Sequence, residues 1–412
     1  MKKIPESYKG VKDFFPGDAY IRNYIISVWS DVLEVFGYQQ YDASVLEEMS
    51  LYKGKTSEEI MRDQIYSFKD RGKRDVVLRP EMTPTTARMI AKLKREKNFR
   101  SPVRWYSIPN LFRYERPQKG RLREHWQLNV DIFGVEGIEA EAELISIAET
   151  IFGVFGLTKN DVTFVLNDRN SIDKLIKKYV SKKEKVSQFI NLLDKKQRIS
   201  EKEFKDKAVE IIGKNKTKNL IEEIDNLEEP SSIKEIRKMC PETSFVYNPF
   251  LVRGFDYYTG VIIEVYANNP KMNRSLLGGG RYDNLVGTYG EEMSACGFGM
   301  GNVMLKELLE EKNLLPKTES SADVYIVMED KELLPKAKDV AEELRAEGIR
   351  VAIDYSYKKK DSRYKKAETE LIPFILTIDD SSPYGTIRDI ETRKDKKIKS
   401  VEDIIDLLCE KL

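Results

Sequence analysis

Apolar residues recur with two different periods in the first part of the chain, and each period predicts one kind of element. Residues 21–36 carry them at i, i+3 and i+4, as a helix does when one face turns to the core. Residues 138–155 are typical of a second amphipathic helix. Residues 66–81 predict a hairpin with its turn at 70–72, and residues 162–167 predict a further strand.

A second hairpin is predicted around a basic loop. Residues 112–115 and 127–133 alternate apolar and polar side chains, while Pro117 and Gly120 interrupt the stretch between them. Since strand side chains repeat every two residues, one shared face should carry Arg113, Glu115, Gln127 and Asp131. Arginines beside a carboxylate suit an anionic ligand with polar groups. An exposed hairpin with solvated charges is the alternative.

The second half of the chain changes character twice. Residues 169–240 are lysine-rich and poor in glycine, which predicts a small helical module inserted between other blocks. Residues 251–258 and 261–265 then return to the sheet, and residues 320–322 form a linker. Beyond it, strands and helices should alternate as a small α/β unit at residues 324–327, 335–347, 351–354 and 374–378.

Composition narrows the class of protein. A chain of 412 residues is too long for one core, so two or three domains are expected. The net charge is +1, so any nucleic-acid binding must come from local patches. The three cysteines lack CxxC spacing, which argues against zinc sites and disulfide frameworks, and no metal site is predicted. The absence of long apolar runs and of a signal segment predicts a cytoplasmic protein without a membrane partner. His125 is the single histidine, and no Walker A motif occurs.

Three ordered blocks resemble class II aminoacyl-tRNA synthetases, in detail the histidyl-tRNA synthetase family. The matching stretches are RYE at 113–115, the RPQKGR loop at 116–121 with Gln127 and Asp131 after it, LVRGFDYY at 251–258, and GGGRYD at 278–283. The first stretches resemble motif 2, LVRGFDYY resembles the histidine-specific signature, and GGGRYD resembles the Gly-rich turn that follows it. The resemblance runs over nearly the whole chain.

The resemblance implies an α/β (α+β) fold, a class II antiparallel sheet flanked by helices. Residues 1–320 would form the catalytic domain, with the helical insertion at about 169–240. Residues 322–412 would form a C-terminal α/β anticodon-binding domain. The implied elements also include motif 1, a dimer element, in which Ser44 stands where the family usually has a proline.

The implied function is that of a ligase. It activates L-histidine with ATP to histidyl-adenylate, releases diphosphate, and transfers histidine to tRNA(His). ATP would be a substrate, Mg²⁺ would accompany its phosphates, and the protein would be a homodimer. The alternative is a non-catalytic histidine-binding relative, such as the regulatory subunit of ATP phosphoribosyltransferase. That relative normally lacks the C-terminal domain, which this chain carries together with the complete RPQKGR loop, so we expect the ligase.

Histidine-binding and catalytic residues follow from the same resemblance. From its position after a strand, Glu81 suits either a ligand ammonium or the cap of a helix over residues 84–94. Arg253 lies among apolar residues and needs an anion or an ion-pair partner such as Asp256 or Glu264. The resemblance assigns catalysis to Arg253 and Arg113, which would meet the α-phosphate. It assigns histidine binding to Glu81, Thr83, Gln127, Asp131, Arg253, Tyr257 and Tyr258.

For ATP, the resemblance implies contacts from Arg113, Glu115, Arg121, His125, Gly299 and Gly301. Residues 297–301 would begin motif 3, where glycines let adenine approach the backbone. Two residues depart from the family. Met304 stands where an arginine usually binds the γ-phosphate, a charge that Arg121 or Arg123 could replace, and His125 stands where a phenylalanine usually stacks on adenine.

For tRNA, the resemblance assigns the motif 2 loop residues Arg116, Gln118 and Lys119. Further candidates for RNA contacts are basic clusters at 177–178 and 182–183 in the insertion and at 358–366 near the C-terminus. For any single lysine of the insertion, a solvated surface is the favoured interpretation, by roughly two to one. For residues 358–366, a solvated surface is the competing interpretation.

Overall fold

The structure, a computed structural model, describes residues 4–57, 60–116, 118, 120–196, 199–253, 257–272, 274–317, 320–356, 360–379 and 382–409. The chain divides into two compact units, Met1–Pro316 and Lys317–Leu412.

The first unit opens with helix α1 (Pro16–Val35), as the apolar spacing predicts. Pro16 occupies the first turn, where its missing N–H has no intrahelical partner to lose. The buried stripe is the predicted one: Ile25, Val28, Trp29, Val32 and Leu33. The following elements are β1 (Gln39–Gln40), β2 (Leu46–Glu48), β3 (Tyr66–Lys69), β4 (Asp75–Leu78), α2 (Thr83–Arg95), β5 (Val103–Ser107), β6 (Asn110–Phe112), β7 (Glu124–Phe133), α3 (Glu139–Val154) and β8 (Val162–Asp168).

A run of helices comes next, as the lysine-rich composition predicts: α4 (Arg169–Tyr179), α5 (Lys183–Asp194), α6 (Glu201–Ile212), α7 (Lys214–Asp225) and α8 (Ser231–Met239). Helices α4 to α7 enclose a core of their own that includes Phe189, Phe204 and Leu220. Side-chain caps fix two of the starts, because Asp168 accepts from the backbone N–H of Asn170 and Ser200 accepts from that of Glu203.

The main sheet is completed by β9 (Phe245–Tyr247), β10 (Val261–Ala267), β11 (Ser275–Arg281) and β12 (Ala295–Gly301), with the helices α9 (Asn284–Gly287) and α10 (Asn302–Glu311). Among the described residues, nine strands form it, in the order β1-β5-β7-β12-β11-β10-β8-β9, with β6 paired to β7. All neighbours are antiparallel except the edge pairs β1–β5 and β8–β9. Helices α1, α3 and α10 share a buried core with β7, β10 and β12. The predicted hairpin at 66–81 pairs β3 with β4 in a separate three-stranded sheet with β2.

Three predicted elements differ from the structure. The strand predicted at 112–115 ends at Phe112. The N–H of Arg113 still donates to the carbonyl of Arg123, but those of Tyr114 and Glu115 donate to the carbonyls of Gln64 and Arg113 instead of continuing the ladder. Residues 278–281 belong to β11 and are not a turn, since both neighbouring strands pair with them. The described part of 251–258 is not in a strand, and the side chain of Asn167 binds the carbonyl of Leu251 there at 2.7 Å.

The second unit has the elements β13 (Val324–Met328), α11 (Leu334–Ala346), β14 (Val351–Ile353), α12 (Lys360–Thr369), β15 (Phe374–Ile378), β16 (Thr386–Asp389), β17 (Asp395–Lys397) and α13 (Val401–Cys409). Its sheet has the order β14-β13-β15-β16-β17, parallel across β14-β13-β15 and antiparallel beyond. The alternation of strands and helices predicted from the sequence is confirmed. Across the described residues of both units, no helix is long and apolar enough to span a bilayer.

Candidate active site

Strands β11 and β12 carry glycines where neighbouring side chains need room. A Cβ on Gly278 would overlap Nη1 of Arg253 and lie 2.5 Å from its Cζ. A Cβ on Gly297 would lie 3.1 Å from Cγ of Asp131, and one on Gly299 would lie 2.9 Å from Cδ of Gln127. Gly278 of the GGGRYD block and Gly297 and Gly299 of the predicted motif 3 therefore form a surface without side chains, here called the glycine floor, beneath residues that the resemblance assigns to the site.

A large cavity of about 1340 Å³ opens over this floor. The predicted ATP residues that line it are Arg113, Glu115, Arg121, His125, Gly299 and Gly301. A small cavity of about 80 Å³ adjoins it and is lined by all of the predicted histidine-binding residues: Glu81, Thr83, Gln127, Asp131, Arg253, Tyr257 and Tyr258. The two cavities share Arg113, Gln127, Arg253, Gly278 and Gly299.

Glu81 follows β4 and is almost fully buried, at 4% exposure. Its carboxylate accepts hydrogen bonds from the hydroxyls of Thr56 and Tyr257. Burial raises the pKa of Glu81, while the Thr56 hydrogen bond and the nearby charge of Arg113 oppose that rise. The helix-capping alternative is wrong, because α2 begins without a side-chain cap. Because burial destabilises the ionised carboxylate, a cation that enters its pocket stabilises it more than it would an exposed carboxylate.

Asp131 points from β7 into the small cavity and accepts a hydrogen bond from the hydroxyl of Tyr282. Burial raises the pKa of Asp131 to about 7, although the Tyr282 hydrogen bond opposes the rise. Tyr257 packs edge-on against Tyr282, with ring centroids 5.9 Å apart. Sequence reasoning missed Tyr282, yet the period-two pattern Gly278, Gly280, Tyr282 would have placed it on the face of the site.

Arg253 lies where the cavities join. Its Nη1 donates to Oε1 of Glu264 at 2.6 Å, and Tyr266 donates to the other oxygen of that carboxylate. The ion pair with Glu264 considered as an alternative is thus present, and Arg253 nonetheless lines both cavities. Asp256, the other candidate partner, lies outside the described residues. Arg113 faces the same junction and donates from Nε to the carbonyl of Pro80 at 2.9 Å.

The two loop arginines considered as replacements for the missing motif 3 charge differ in position. Arg121 forms an ion pair with Glu115 and lines the large cavity. Arg123 does not line it: its guanidinium stacks 3.9 Å from the ring centroid of Tyr114 and donates to the hydroxyl of Tyr8 at 3.0 Å. Arg123 is 7% exposed and does not line the large cavity, so the structure favours Arg121 over Arg123 as the replacement for the missing charge.

His125 and Met304 line the large cavity at the two departures from the family pattern. Burial, reinforced by the charges of Arg113 and Arg121, lowers the pKa of His125 to about 3. His125 is therefore a neutral imidazole at physiological pH. Met304 sits on α10, 8% exposed, against the loop backbone at Gly120.

Residues predicted to contact RNA occupy different surroundings. Arg116 and Gln118 are exposed, and Gln118 lines the large cavity, whereas Lys119 lies outside the described residues. In the insertion, Lys178 forms an ion pair with Glu223 at 2.8 Å. The insertion also lines the large cavity, which sequence reasoning missed, through Leu193, Asp194, Lys196 and Glu201.

Comparison with known proteins supplies independent information. Residues 10–305 match the family described as histidyl-tRNA synthetase, and residues 323–411 match the family described as anticodon binding domain. The histidine–tRNA ligase of Leptospira biflexa is 40% identical over 396 residues, which cover 91% of this chain and 90% of that protein. The chloroplastic/mitochondrial histidine–tRNA ligase of Arabidopsis thaliana is 35% identical over 378 residues, covering 87% and 77%. The crystal structure of histidyl-tRNA synthetase from Nostoc sp. PCC 7120 has the same fold, with a TM-score of 0.78 over 100% of both chains at 19% identity.

Proposed function

The chain belongs to the histidyl-tRNA synthetase family, and on that basis we propose that its chemistry takes place where the large and small cavities join. The protein is a histidine–tRNA ligase: it activates L-histidine with ATP and transfers histidine to tRNA. The predicted class II fold is confirmed by the solved relative. The non-catalytic alternative has less support, because the curated relatives are named as ligases.

The observation that carries the proposed geometry is the set of residues shared by the two cavities. Arg113 and Arg253 line both of them. A histidine whose ammonium and imidazole enter the small cavity would direct its carboxylate to this junction. ATP in the large cavity would bring its α-phosphate to the same place. The two reacting groups are both anionic, so a pair of cations at the junction is what their approach requires.

In the small cavity, Glu81 would bind the α-ammonium of histidine, with Thr83 beside it at the start of α2. The imidazole would donate an N–H to the carboxylate of Asp131. Tyr258 and Gln127 would complete the hydrogen bonds, and Tyr282 would hold the carboxylate in place. A pocket whose buried groups hydrogen-bond the imidazole ring rejects amino acids that would leave those groups unpaired. This rejection is stronger than that of a purely apolar pocket.

Adenylate formation would proceed by attack of a histidine carboxylate oxygen on the α-phosphorus, with departure of diphosphate. Arg253 and Arg113 would reduce the repulsion between the two anions and bind the charge that builds on the α-phosphate oxygens. The guanidinium of Arg253 is fixed from behind by Glu264 at 2.6 Å, so it needs little reorganisation during the reaction.

Glu115, Arg121, Gly299 and Gly301 would complete the ATP site, with the ring of His125 against adenine. Because its imidazole is neutral, His125 can stack without adding charge. Among the described residues, no group of three or more His, Cys, Asp or Glu side chains could hold a metal ion. We therefore propose that Mg²⁺ arrives with the ATP phosphates, since it is commonly bound by one or two carboxylates plus phosphate oxygens.

For the remaining steps, we propose that Arg116, Gln118 and Lys119 contact the acceptor end of tRNA(His). Residues 1–320 would form the catalytic domain with its insertion at about 169–240, and residues 322–412 would bind the anticodon. The working form would be a cytoplasmic homodimer. In support of an interface near α1, the apolar side chains of Phe15 and Val35 are 72% and 86% exposed.

The test is histidine-dependent exchange of diphosphate into ATP by the purified chain, followed by aminoacylation of tRNA(His). Arg253→Lys keeps the charge but loses the planar fork, and should slow adenylate formation about a hundredfold with little change in histidine affinity. Arg237→Lys is the matched control, because Arg237 also pairs with a carboxylate, Glu229 at 2.7 Å, but does not line the cavities. Histidine binding without exchange in the wild type would favour the non-catalytic alternative.

A further inference from the structure

The end of the large cavity next to Met304 is where three segments of the chain meet. Gly120 of the loop has a left-handed φ of 73°. A Cβ built on Gly120 would overlap Sδ of Met304 and lie 3.7 Å from Cδ of Arg274. Arg274 immediately precedes β11 and lines the same cavity. The side-chain stem of Arg274 therefore lies beside the loop and beside the start of α10.

This end of the cavity cannot obtain a cation from the start of α10. Met304 offers only a thioether, a weak hydrogen-bond acceptor with no proton to donate. Further along the helix, the residues that line the cavity are acidic: Glu307, Glu310 and Glu311. A polyphosphate placed against carboxylates alone would be repelled, so an anion at this end needs a cation from another segment.

We propose that Arg274 binds the terminal phosphates of ATP, at the end of the cavity where Met304 leaves α10 without a charge. The inference rests on the proposed ligase function. A guanidinium binds phosphate through two parallel N–H donors, which fixes the orientation of the group as well as its charge. Two cations then lie along β11. Arg274 stands just before its first residue, and Arg253 occupies the space that Gly278 leaves four residues further on. Arg274 would hold the leaving diphosphate while Arg253 serves the α-phosphate.

The competing interpretation is that Arg274 serves only to neutralise the acidic face of α10. If Arg274 binds the terminal phosphates, its loss should weaken only ligands that have β- and γ-phosphates, as ATP does. If Arg274 only neutralises α10, its loss should not depend on whether the ligand has those phosphates. The experiment therefore compares ATP with a sulfamoyl analogue of histidyl-adenylate, which lacks both phosphates. It uses the full chain with Arg274→Met, Arg274→Lys and, as a matched control, Lys306→Met. Lys306 is a cation of α10 that pairs with Glu310 at 3.5 Å and does not line the cavity.

We expect Arg274→Met to raise the KM for ATP in diphosphate exchange by roughly tenfold to a hundredfold, the range for one charge-assisted hydrogen bond. Affinity for the sulfamoyl analogue should stay unchanged, and Arg274→Lys should recover part of the loss. Lys306→Met should behave as the wild type. An unchanged KM for ATP, or an equal loss of affinity for ATP and analogue, would overturn the proposal. Absence of exchange in the wild type would instead refute the ligase function.

Discussion

Replacing Gly278 by alanine adds a single methyl group at the point where Arg253 crosses β11. The added carbon would overlap Nη1 of Arg253 and lie 2.5 Å from Cζ and 2.8 Å from Nη2. Gly278 has no left-handed φ, so alanine adds no backbone strain there. The effect of the substitution therefore acts through the guanidinium.

The size of the effect follows from these distances. Ordinary contact between non-bonded heavy atoms begins at about 3.5 Å, so Cζ must withdraw by roughly 1 Å. A misplacement of that size in a reacting constellation costs about a hundredfold in rate. The loss of one charge-assisted hydrogen bond, about 1.5–3 kcal/mol, gives a similar range. The cost in unfolding free energy should stay below the roughly 3–5 kcal/mol of breaking a buried pair outright, because Glu264 keeps its hydrogen bond from Tyr266.

The assay is single-turnover formation of histidyl-adenylate by rapid quench, with urea unfolding measured in parallel. Gly153→Ala is the control, because a Cβ on Gly153 of α3 would meet nothing within 4 Å. We expect a rate about a hundredfold lower for Gly278→Ala and an unchanged rate for Gly153→Ala. A rate near that of the wild type in stably folded Gly278→Ala would refute the reasoning, because Arg253 would then not need its position.

Three further predictions follow from other contacts. Asp131, whose pKa burial raises to about 7, is mainly a carboxylate at pH 8 and mainly protonated at pH 6. The ratio of kcat/KM for histidine in the wild type to that in Asp131→Asn should therefore fall about tenfold from pH 8 to pH 6. A ratio that does not change with pH would contradict this. Gln118→Ala should impair tRNA aminoacylation and leave adenylate formation nearly intact, and equal losses would show that the loop serves ATP instead. Arg281→Met leaves the fully buried Glu141 without its bidentate partner. It should therefore lower the unfolding free energy, measured by urea titration, by roughly 3–5 kcal/mol. A loss below ~1 kcal/mol would contradict this prediction.

Local periodicity was sufficient to predict several elements of the first unit, although not the backbone around Arg113, Arg253 and Gly278. The apolar spacing of α1, the hairpin of β3 and β4, and the helical insertion all occur at nearly the predicted residues. Alternation along β7 placed Gln127 and Asp131 on one face, and both line the small cavity. These features depend on neighbours within a few residues, which a sequence pattern encodes directly.

Long-range partners were not predictable in the same way. Asp131 receives its hydrogen bond from Tyr282, 151 residues away, and Glu81 receives one from Thr56 on a segment with no distinctive pattern. Arg123 carries the same charge as Arg121 two residues earlier, yet it is buried against Tyr114 and a turn of the N-terminal segment. A charge in a loop does not reveal which way it turns, because that depends on which segment packs over it.

The glycine floor explains why the functional side chains enter from outside β11 and β12. Gly278 lies opposite Gly299 across these strands, so no side chain stands between them. Any larger residue would take the space of Arg253 or Gln127, which come from the segment before β10 and from β7. The effect of a substitution in the glycine floor should therefore depend on which side chain lies over the substituted glycine. Gly278→Ala should affect the chemical step, whereas Gly297→Ala, which crowds Asp131, should affect histidine binding.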